Sequence, residues 1–537
     1  MKLKYTIAIP VYNDENTIKQ CLDSIINQTI DKDKLEIICV NDGSTDQSPA
    51  ILEEYSNTYS FVRIVHQENS GSPSGPRNKA IELATGDFIF FVDGDDYLGE
   101  EALERMEEKI LQYDSDIVVG RYVGINRGVP QAIFKRNPDN FSFYGSNALY
   151  TVSVQKLFRV SLLREHNIRF PEHYSLGEDQ PFIIQAYAYS NSISIVKDYP
   201  CYYLTNNLTV GREQLTKKPI TGRLYMHQFE ETLAAVESLQ LPKEKKLRTY
   251  YQYLTRVLNI ELRTTITRSF QMEDKQFIFD SLKALIQKHN FLEIYANFNT
   301  REKLLLRIIE QGELDDLINF WYAERHPGNM QVFHGLIYPK AEKAYELAKA
   351  ESLSFHRSNK LAAAVTRIQK KAEGLLIEGY SYHSLVDASE EQLYLKLSDR
   401  DSERVTSLTV QKGAYHIDSP IPVNPEIMQE QMLSTFHVVI PASVIEWVDA
   451  EKGIVDLHLV SRIENYTAIA RVLGEMPRHE TSKLTSSKQK NHLLNITTYN
   501  TKHGNLSFKL QDTTKKKPKQ LSKKQRIVNK IKRMLRA

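Results

Sequence analysis

Three aspartates stand within four positions at the end of an apolar run. The run "FIFFV" precedes Asp93, Asp95 and Asp96, so we expect a buried strand to end where the acids begin. Carboxylate oxygens are the ligands that Mg²⁺ and Mn²⁺ prefer, and these cations keep positions for water and phosphate oxygens. A bound cation would also relieve the repulsion among the crowded acids. The pattern therefore predicts a metal-assisted site for a phosphate-containing ligand.

The first 120 residues predict the element that positions these acids. Apolar runs such as "KYTIAIPVY", "LEIICVND", "FVRIVHQ" and "DFIFFVDGDD" alternate with amphipathic helical stretches. Strands and helices in alternation indicate a parallel α/β sheet covered by helices, and strands that are apolar nearly throughout agree with burial on both faces. Ligands of such sheets bind beyond the carboxyl ends of the strands. We therefore expect the residues that follow each strand to form the site.

Polar residues follow each of the first three strands as well. Pro10 and Tyr12 end the first, Asp42 ends the second, and Asn69 and Arg77 follow the third. Arg77 offers a planar fork for phosphate, Asp42 can accept from a base or a ribose, and the glycines of "SGSPSG" let backbone approach a ligand. No dinucleotide fingerprint and no P-loop occur in the sequence, so metal and side chains are expected to hold a nucleoside diphosphate.

These motifs resemble the nucleotide-sugar domain of family 2 inverting glycosyltransferases, which have the GT-A fold. The resemblance covers about the first 210 residues and rests on "IPVYNDENTIKQCLDSIINQ", "VNDGSTD", "NSGSPSGPRNKAIELATGDFIFFVDGDD" and "GEDQ". Within the family, "GPRN", "NRGVPQAIF" and "LYTVSVQKLFRVSLLREHNIRFPE" are similar to the wall teichoic acid enzymes that add N-acetylglucosamine to poly(ribitol phosphate).

The resemblance implies a role for each candidate residue. The implied roles are nucleotide-sugar binding by Pro10, Tyr12, Asp42, Asn69, Arg77, Asp93, Glu178 and Arg212, ligation of Mn²⁺ or Mg²⁺ by Asp95, and general-base catalysis by Asp179. Within that set, Pro10, Tyr12 and Asp42 would hold the uracil. Asp93 would contact the ribose, and Arg212 stands where the family has a loop that closes over the diphosphate. Taken alone, Glu178 and Asp179 also suit a helix start, where the dipole favours acids.

The reaction implied is a single displacement that inverts the anomeric carbon. Asp179 would take a proton from an acceptor hydroxyl while that oxygen displaces the diphosphate. The predicted enzyme moves a sugar, N-acetylglucosamine, from a UDP-sugar to poly(ribitol phosphate). Two alternatives stay open: a capsular or other surface polysaccharide as acceptor, and a degenerate domain that only binds glycans. The intact Arg77, Asp93 and Asp95 favour the enzyme.

The pattern changes along the rest of the chain. We predict a GT-A domain over residues 1–220, a helical linker domain over 221–370, a β-sandwich over 371–512 and a basic amphipathic tail over 513–537. The sandwich would serve polymer binding, oligomerisation or stability alone. Cys21, Cys39 and Cys201 are widely spaced without a metal-ligand pattern, so they are expected to be buried thiols. The sequence leaves the sugar and the oligomeric state open.

Charge is concentrated in the tail. Residues 515–537 carry eleven Lys and Arg and no acid, whereas the other 514 residues have a net charge of −9. The predicted role of the tail is attachment to an anionic membrane surface, and the alternatives are solubility or packing in a homo-oligomer. Nucleic acid is disfavoured, because the tail lacks aromatic residues for stacking and the rest is acidic. No apolar run reaches the roughly 18 residues of a membrane span, so we expect a cytoplasmic protein at the inner membrane face.

A polyanionic acceptor would need a local basic surface. Candidates for such a groove in the acceptor half of the first domain are Arg121, Arg127, Lys135, Arg136 and Lys156.

Overall fold

The computed structural model forms two compact units, Met1–Glu302 and Lys303–Ala537. The described residues are 3–173, 177–205, 221–267, 271–289, 291–325, 329–357, 359–387, 389–400, 404–413, 433–445, 453–474, 481–485, 493–501 and 505–512. Arg212 and the basic tail over 513–537 lie outside them. None of the described helices combines the length and the apolar character that crossing a membrane requires.

A mixed sheet forms the centre of the first unit. Its strands are β1 (Tyr5–Val11), β2 (Leu35–Asp42), β3 (Val62–Gln67), β4 (Phe88–Phe91), β5 (Tyr97–Leu98), β6 (Ile117–Ile125), β7 (Asn140–Phe141), β8 (Leu157–Arg159) and β9 (Ile193–Thr205). They lie in the order β3-β2-β1-β4-β8-β6-β9-β5, and β7 pairs with β9. The neighbours β3, β2, β1 and β4 are parallel, so their carboxyl ends meet at one edge. This confirms the predicted α/β fold.

Helices follow the strands of the first unit. They are α1 (Ile18–Ile26), α2 (Ser48–Thr58), α3 (Ser74–Leu83), α4 (Ala102–Tyr113), α5 (Ala132–Arg136), α6 (Val160–Glu165), α7 (Asp179–Tyr189), α8 (Gly222–Ser238), α9 (Lys243–Arg256), α10 (Leu262–Thr267) and α11 (Met272–Lys288). In α1, Ile18, Leu22 and Ile25 recur at helical spacing and are fully buried. The three cysteines are buried and unpaired, as expected.

Strand β8 interrupts the parallel order. It runs antiparallel to β4, with Leu157 opposite Phe90 and Arg159 opposite Phe88. The residues that precede β8 therefore lie beside the carboxyl end of β4. These residues precede a strand, so the rule that ligand-binding residues follow the strands does not identify them.

The described residues of the second unit form helices and three sheets. The helices from the unit boundary onward are α12 (Thr300–Gln311), α13 (Leu314–Arg325), α14 (Glu342–Ala350) and α15 (Ala442–Ile445). The strands are β10 (Met330–Phe333), β11 (Leu336–Pro339), β12 (Leu361–Lys370), β13 (Gly374–His383), β14 (Gln392–Asp399), β15 (Val405–Thr409), β16 (Gln411–Lys412), β17 (Leu433–Pro441), β18 (Ile454–Ile463), β19 (Tyr466–Arg471), β20 (Leu473–Gly474), β21 (Thr481–Thr485), β22 (Leu493–Asn500) and β23 (Leu506–Asp512). Strands β10 and β11 form a hairpin, so the region 221–370 is not helical throughout.

Two sheets share the core of the second unit. One has the order β16-β17-β13-β12-β20, and the other has the order β15-β14-β18-β23-β22-β21 with β19 on β18. Leu393, Leu395 and Leu397 of β14 alternate into a core that also receives Ile377 and Phe436 from the other sheet. A spacing of two places one face of each strand inside, which is the packing of a β-sandwich. The predicted β-rich region is confirmed, whereas the four-part division of the chain stays a prediction.

A buried polar network lies in the second unit. The Glu391 carboxylate accepts from Ser461 Oγ at 2.6 Å and lies 3.2 Å from His383 Nε2. The side chains of His383 and Glu391 are 0 % exposed. Burial by itself raises the pKa of Glu391, but His383 and the serine hydroxyls outweigh it, and the pKa is lowered. The carboxylate is therefore the form that the fold stabilises.

We expect Glu391→Ala to lower the free energy of unfolding by about 1–3 kcal/mol, because buried donors lose their acceptor. The adjacent exposed Glu390→Ala is the control and should change it by less than about 0.5 kcal/mol. Because the fold lowers the pKa of Glu391, this carboxylate stabilises the protein at pH values above the ordinary pKa of a glutamate. That stabilisation is lost as the pH falls through the pKa of the folded state. Urea unfolding of the variants measures this, and equal losses in both would contradict it.

Candidate active site

The loops after β1 and β2 are joined by hydrogen bonds. Asn13 adopts a left-handed φ of 54°. Its N–H donates to Ser44 Oγ at 3.0 Å, and its Oδ1 accepts from the Thr45 N–H at 2.8 Å. Asp14 also approaches the end of β4, because a Cβ on Gly94 would lie only 2.8 Å from Asp14 Oδ2. The carboxyl ends of β1, β2 and β4 thus approach one another closely.

The candidate uracil residues gather at this edge. Pro10 pairs with Val40 across the parallel strands β1 and β2, two positions before Asp42. The Asp42 carboxylate is 5 % exposed and accepts from Gln67 Nε2 at 2.7 Å and from Ser70 Oγ at 2.9 Å. The Ser70 N–H also donates to both oxygens, at 3.0 and 3.2 Å, so Asp42 holds the β3–α3 loop.

Tyr12 and Asn69 are the exposed members of this group. Tyr12 is 38 % exposed, and its N–H donates to Asp14 Oδ2 at 3.0 Å. The Asn69 Oδ1 accepts from the Gly71 N–H at 2.7 Å, and the Asn69 backbone lies against Gly43, the residue after Asp42. The structure therefore brings Pro10, Tyr12, Asp42 and Asn69 to one edge of the sheet.

Arg77 is the centre of a second group. Its Nη2 donates to Asp93 Oδ1 at 2.9 Å, and its Nη1 lies 2.9 Å from both Glu178 Oε1 and Asp179 Oδ1. The side chain is 4 % exposed and lies 5.3 Å from the ring centroid of Phe170. One buried guanidinium therefore joins the end of β4 to the start of α7. The family resemblance implies that Arg77 contacts the diphosphate, whereas in the structure carboxylates occupy its fork.

Burial and charge set the protonation of this group. Burial by itself lowers the pKa of Arg77, but Asp179, Asp93 and Glu178 outweigh it, so the pKa is raised and the guanidinium stays charged. Burial raises the pKa of Asp179 to about 7, with Glu178 and Asp93 adding to the rise and Arg77 and Lys156 opposing it. A carboxyl with a pKa near neutrality suits general-base chemistry.

The three crowded aspartates have different surroundings. Asp96 is 5 % exposed, and its carboxylate accepts from Tyr202 Oη at 2.9 Å and from the Thr205 N–H at 2.7 Å. Burial and the charges of Asp93 and Asp95 raise the pKa of Asp96, which reduces the repulsion. Asp95 is partly exposed. The protein supplies partners for Asp93 and Asp96, whereas relief of the crowding by a cation stays a prediction.

Sequence reasoning missed Gln155 as a member of this site. Its Nε2 donates to Asp93 Oδ2 at 2.6 Å, so both oxygens of Asp93 are held. Gln155 reaches Asp93 because β8 runs antiparallel to β4. No signal in the strand pattern could have found it, because periodicity does not reveal that "LFR" runs antiparallel to β4.

Lys156, the next residue, does not line a groove. Its side chain is fully buried, its Nζ donates to the Ser153 carbonyl, and it lies 6.0 Å from the ring centroid of Tyr187. Burial lowers the pKa of Lys156 to about 7. The expectation that Lys156 forms part of an exposed basic groove is wrong, whereas Arg121, Arg127 and Lys135 are exposed.

Comparison with known proteins identifies the family. The family model for glycosyl transferase family 2 matches residues 6–166. The chain is also 31% identical over 289 residues to a putative glycosyltransferase, EpsH of Bacillus subtilis, and covers 80% of it. The chain belongs to glycosyl transferase family 2. Arg77 and the acids at the end of β4 therefore lie inside the region that matches the family model, and Glu178 and Asp179 follow it closely.

Other relatives of this family 2 member carry more specific names. It is 34% identical over 396 residues to the poly(ribitol-phosphate) beta-glucosyltransferase of Bacillus spizizenii. The aligned residues are 72% of this chain and 61% of that protein. The chain thus spans less than two thirds of that relative's length.

Solved structures agree with this fold. Staphylococcus aureus TarS matches 96% of this chain and 86% of its own, with a TM-score of 0.67 and 23% identity. TarS 1–349 in complex with UDP-GlcNAc matches 63% of this chain and 97% of its own, with a TM-score of 0.56 and 27% identity. The first likeness extends over the GT-A-like sheet and the later β-rich region.

We expect Arg77→Met to destabilise the first unit, because three carboxylates lose their shared cation. Breaking a buried ion pair costs about 3–5 kcal/mol, and since Asp93 and Asp179 are about a quarter exposed, the expected value is about 3 kcal/mol. Arg105→Met removes surface pairs with Glu101 and Glu108 and should lower the free energy of unfolding far less than Arg77→Met does. Urea unfolding compares the two, and equal effects would argue against a central role for Arg77.

Proposed function

We propose that this chain is an inverting glycosyltransferase that moves N-acetylglucosamine from its UDP-sugar to a hydroxyl of poly(ribitol phosphate) wall teichoic acid. Family membership supports glycosyl transfer. The name of the Bacillus spizizenii relative supports the acceptor, and the UDP-GlcNAc complex of TarS supports the donor. That relative is named for glucose, so the sugar is the element of the proposal that needs a direct test.

The observation that carries the proposal is the ion-pair group around Arg77. One guanidinium lies 2.9 Å from Asp93, which ends a donor-side strand, and 2.9 Å from Asp179, which begins α7. These residues are 86 positions apart in the chain, yet they share one cation. In this proposal Arg77 positions both acids, and Asp93 accepts from the ribose through its remaining lone pairs.

The donor set at the end of β4 fits a hard divalent cation. Asp95 is a partly exposed carboxylate next to two further acids, and Mg²⁺ or Mn²⁺ prefers such oxygen ligands. In this proposal Asp95 would hold the ion, which when bound would neutralise charge on the diphosphate leaving group. The remaining contacts to the donor are proposed for Pro10, Tyr12, Asp42, Asn69, Glu178 and Arg212, the last of which lies outside the described residues.

Asp179 is the proposed general base. Its side chain is 25% exposed, so an acceptor hydroxyl can reach it, and its pKa of about 7 makes it basic enough to receive a proton. The acceptor oxygen forms a bond to the anomeric carbon as the bond to the diphosphate breaks. The hydroxyl proton goes to Asp179, and the bonding electrons of the sugar–oxygen bond leave with UDP. No covalent enzyme intermediate is needed.

A polyanionic acceptor needs positive charge on the surface. Arg121, Arg127, Lys135 and Arg136 are exposed and are proposed to contact the polymer. The β-sandwich is proposed to bind polymer or a second copy of the chain. The tail over 513–537 is proposed to bind an anionic membrane surface, and it lies outside the described residues.

The decisive experiment measures UDP release with a panel of UDP-sugars, with and without poly(ribitol phosphate). We expect the polymer to stimulate release from UDP-N-acetylglucosamine. Asp179→Asn should lower kcat by at least about 100-fold, because a general base contributes roughly 10²–10⁴. Binding of UDP should be unchanged, since Asp179 lies on the acceptor side in this proposal.

Each other outcome changes the proposal. Release with UDP-glucose alone would keep the acceptor and replace the sugar. Release only with another surface polysaccharide would discard the teichoic acid assignment. UDP binding without turnover of any donor would leave a glycan-binding platform.

The pH profile of kcat tests the environment of the base. Asp179 acts as a carboxylate, so turnover should rise with pH through about 7 and level off above it. Lys156→Met removes a positive charge that lowers the pKa of Asp179, so the rise should move to higher pH. The exposed Lys19→Met is the control and should leave the profile unchanged. An unmoved profile in Lys156→Met would show that Lys156 has a packing role only.

A further inference from the structure

Two histidines and a glutamate cluster away from the Arg77 group. His227 and Glu231 stand four positions apart on α8, so they share one face of that helix. His173 approaches them from the segment that precedes α7. One possible ligand atom from each of the three lies within 4.8 Å of the others. Among the described residues, this is the group whose histidine and acidic side chains could hold a metal ion together.

The distances suit a transition metal. Zinc binds imidazole nitrogen and carboxylate oxygen at roughly 2.0–2.2 Å in tetrahedral sites, which sets neighbouring ligand atoms about 3.3 Å apart. His173 Nε2 and Glu231 Oε2 already lie 3.3 Å apart. The His173 and His227 rings have centroids 6.0 Å apart and planes at 68°, so small side-chain rotations can direct both nitrogens to one point. Two imidazoles and one carboxylate also form the protein ligand set of some known zinc sites.

The cluster can be reached from solvent. The side chain of His173 is 59% exposed and that of Glu231 is 30% exposed. The opposite face of α8 is buried and includes Tyr225, Phe229 and Leu233. The helix is thus anchored by its apolar face, while its His227 face remains accessible to an ion and to a water as fourth ligand.

The cluster lies beside the segment that leads to α7. Gly177, with φ +87°, packs against α8 so closely that a Cβ there would lie 2.2 Å from Gln228 Cδ. Gln228 adjoins His227, and Gly177 adjoins Glu178. Two residues before α7, His173 and Gly177, thus contact α8, and an ion held by the cluster would strengthen the first of these contacts.

We propose that His173, His227 and Glu231 form a binding site for a divalent transition metal of the zinc class, which fastens His173 to α8. This site is distinct from the cation proposed at Asp95: its imidazole ligands favour zinc, whereas carboxylate and phosphate oxygens favour Mg²⁺ or Mn²⁺. The inference does not depend on the proposed function, because binding of the ion can be measured without any sugar transfer.

The test uses the full chain without an affinity tag at about pH 7.5, where imidazole ligands are available. Zinc affinity is measured by competition with a chromophoric chelator, and the bound metal is counted by elemental analysis. All proteins in this test also carry the Asp95→Asn substitution, so that the acids at the end of β4 contribute less to the measured zinc binding. We expect one zinc per chain and a rise in the thermal unfolding midpoint on adding zinc.

His227→Gln and Glu231→Gln should each weaken zinc binding by at least about tenfold and abolish the thermal shift. His66→Gln is the matched control, because His66 forms an exposed pair with Glu53 at 3.0 Å and should bind zinc as the parent does. Thermal unfolding without zinc verifies that each variant folds. Absence of zinc binding, or equal binding in His227→Gln and His66→Gln, would overturn the proposal and leave His173–Glu231 as an ordinary ion pair.

Discussion

A buried guanidinium surrounded by three carboxylates holds the candidate site together. Arg77 has lost almost all contact with water, so its charge must be balanced inside the protein, and Asp93, Glu178 and Asp179 supply that balance. The same pairs fix the start of α7 against the end of β4. Because three acids surround one cation, the group keeps an excess of negative charge. A diphosphate would be repelled by that excess, which is a physical argument for the divalent cation proposed at Asp95.

The three neighbouring aspartates at the end of β4 have different environments and different roles. Asp96 is buried and holds the end of β9 through Tyr202 and Thr205. Asp93 is held on one oxygen by Arg77 and on the other by Gln155, which fixes its orientation. The spacing that crowds these acids is thus tolerated because each has different surroundings, and Asp95 is left partly exposed beside them.

The direction of one short strand decides which side chains reach this centre. If β8 ran parallel to β4, Gln155 and Lys156 would lie at the opposite edge of the sheet. Its antiparallel pairing instead brings them beside the site, where Gln155 contacts Asp93 and the Lys156 charge acts on Asp179. The raised pKa of Asp179 is therefore a product of burial and of neighbours contributed by different elements.

The sequence by itself determined the four parallel strands, the polar residues at their carboxyl ends and the β-rich second part, because apolar periodicity and strand–helix alternation are local signals. It also determined the family, through Asp42, Arg77 and the "DGDD" motif. Tertiary structure decided that Arg77 pairs with acids, that Gln155 joins the site and that Lys156 is buried rather than part of a groove. Those outcomes depend on which strands pair and on what surrounds each charge, and neither is encoded in the spacing of residues along the chain.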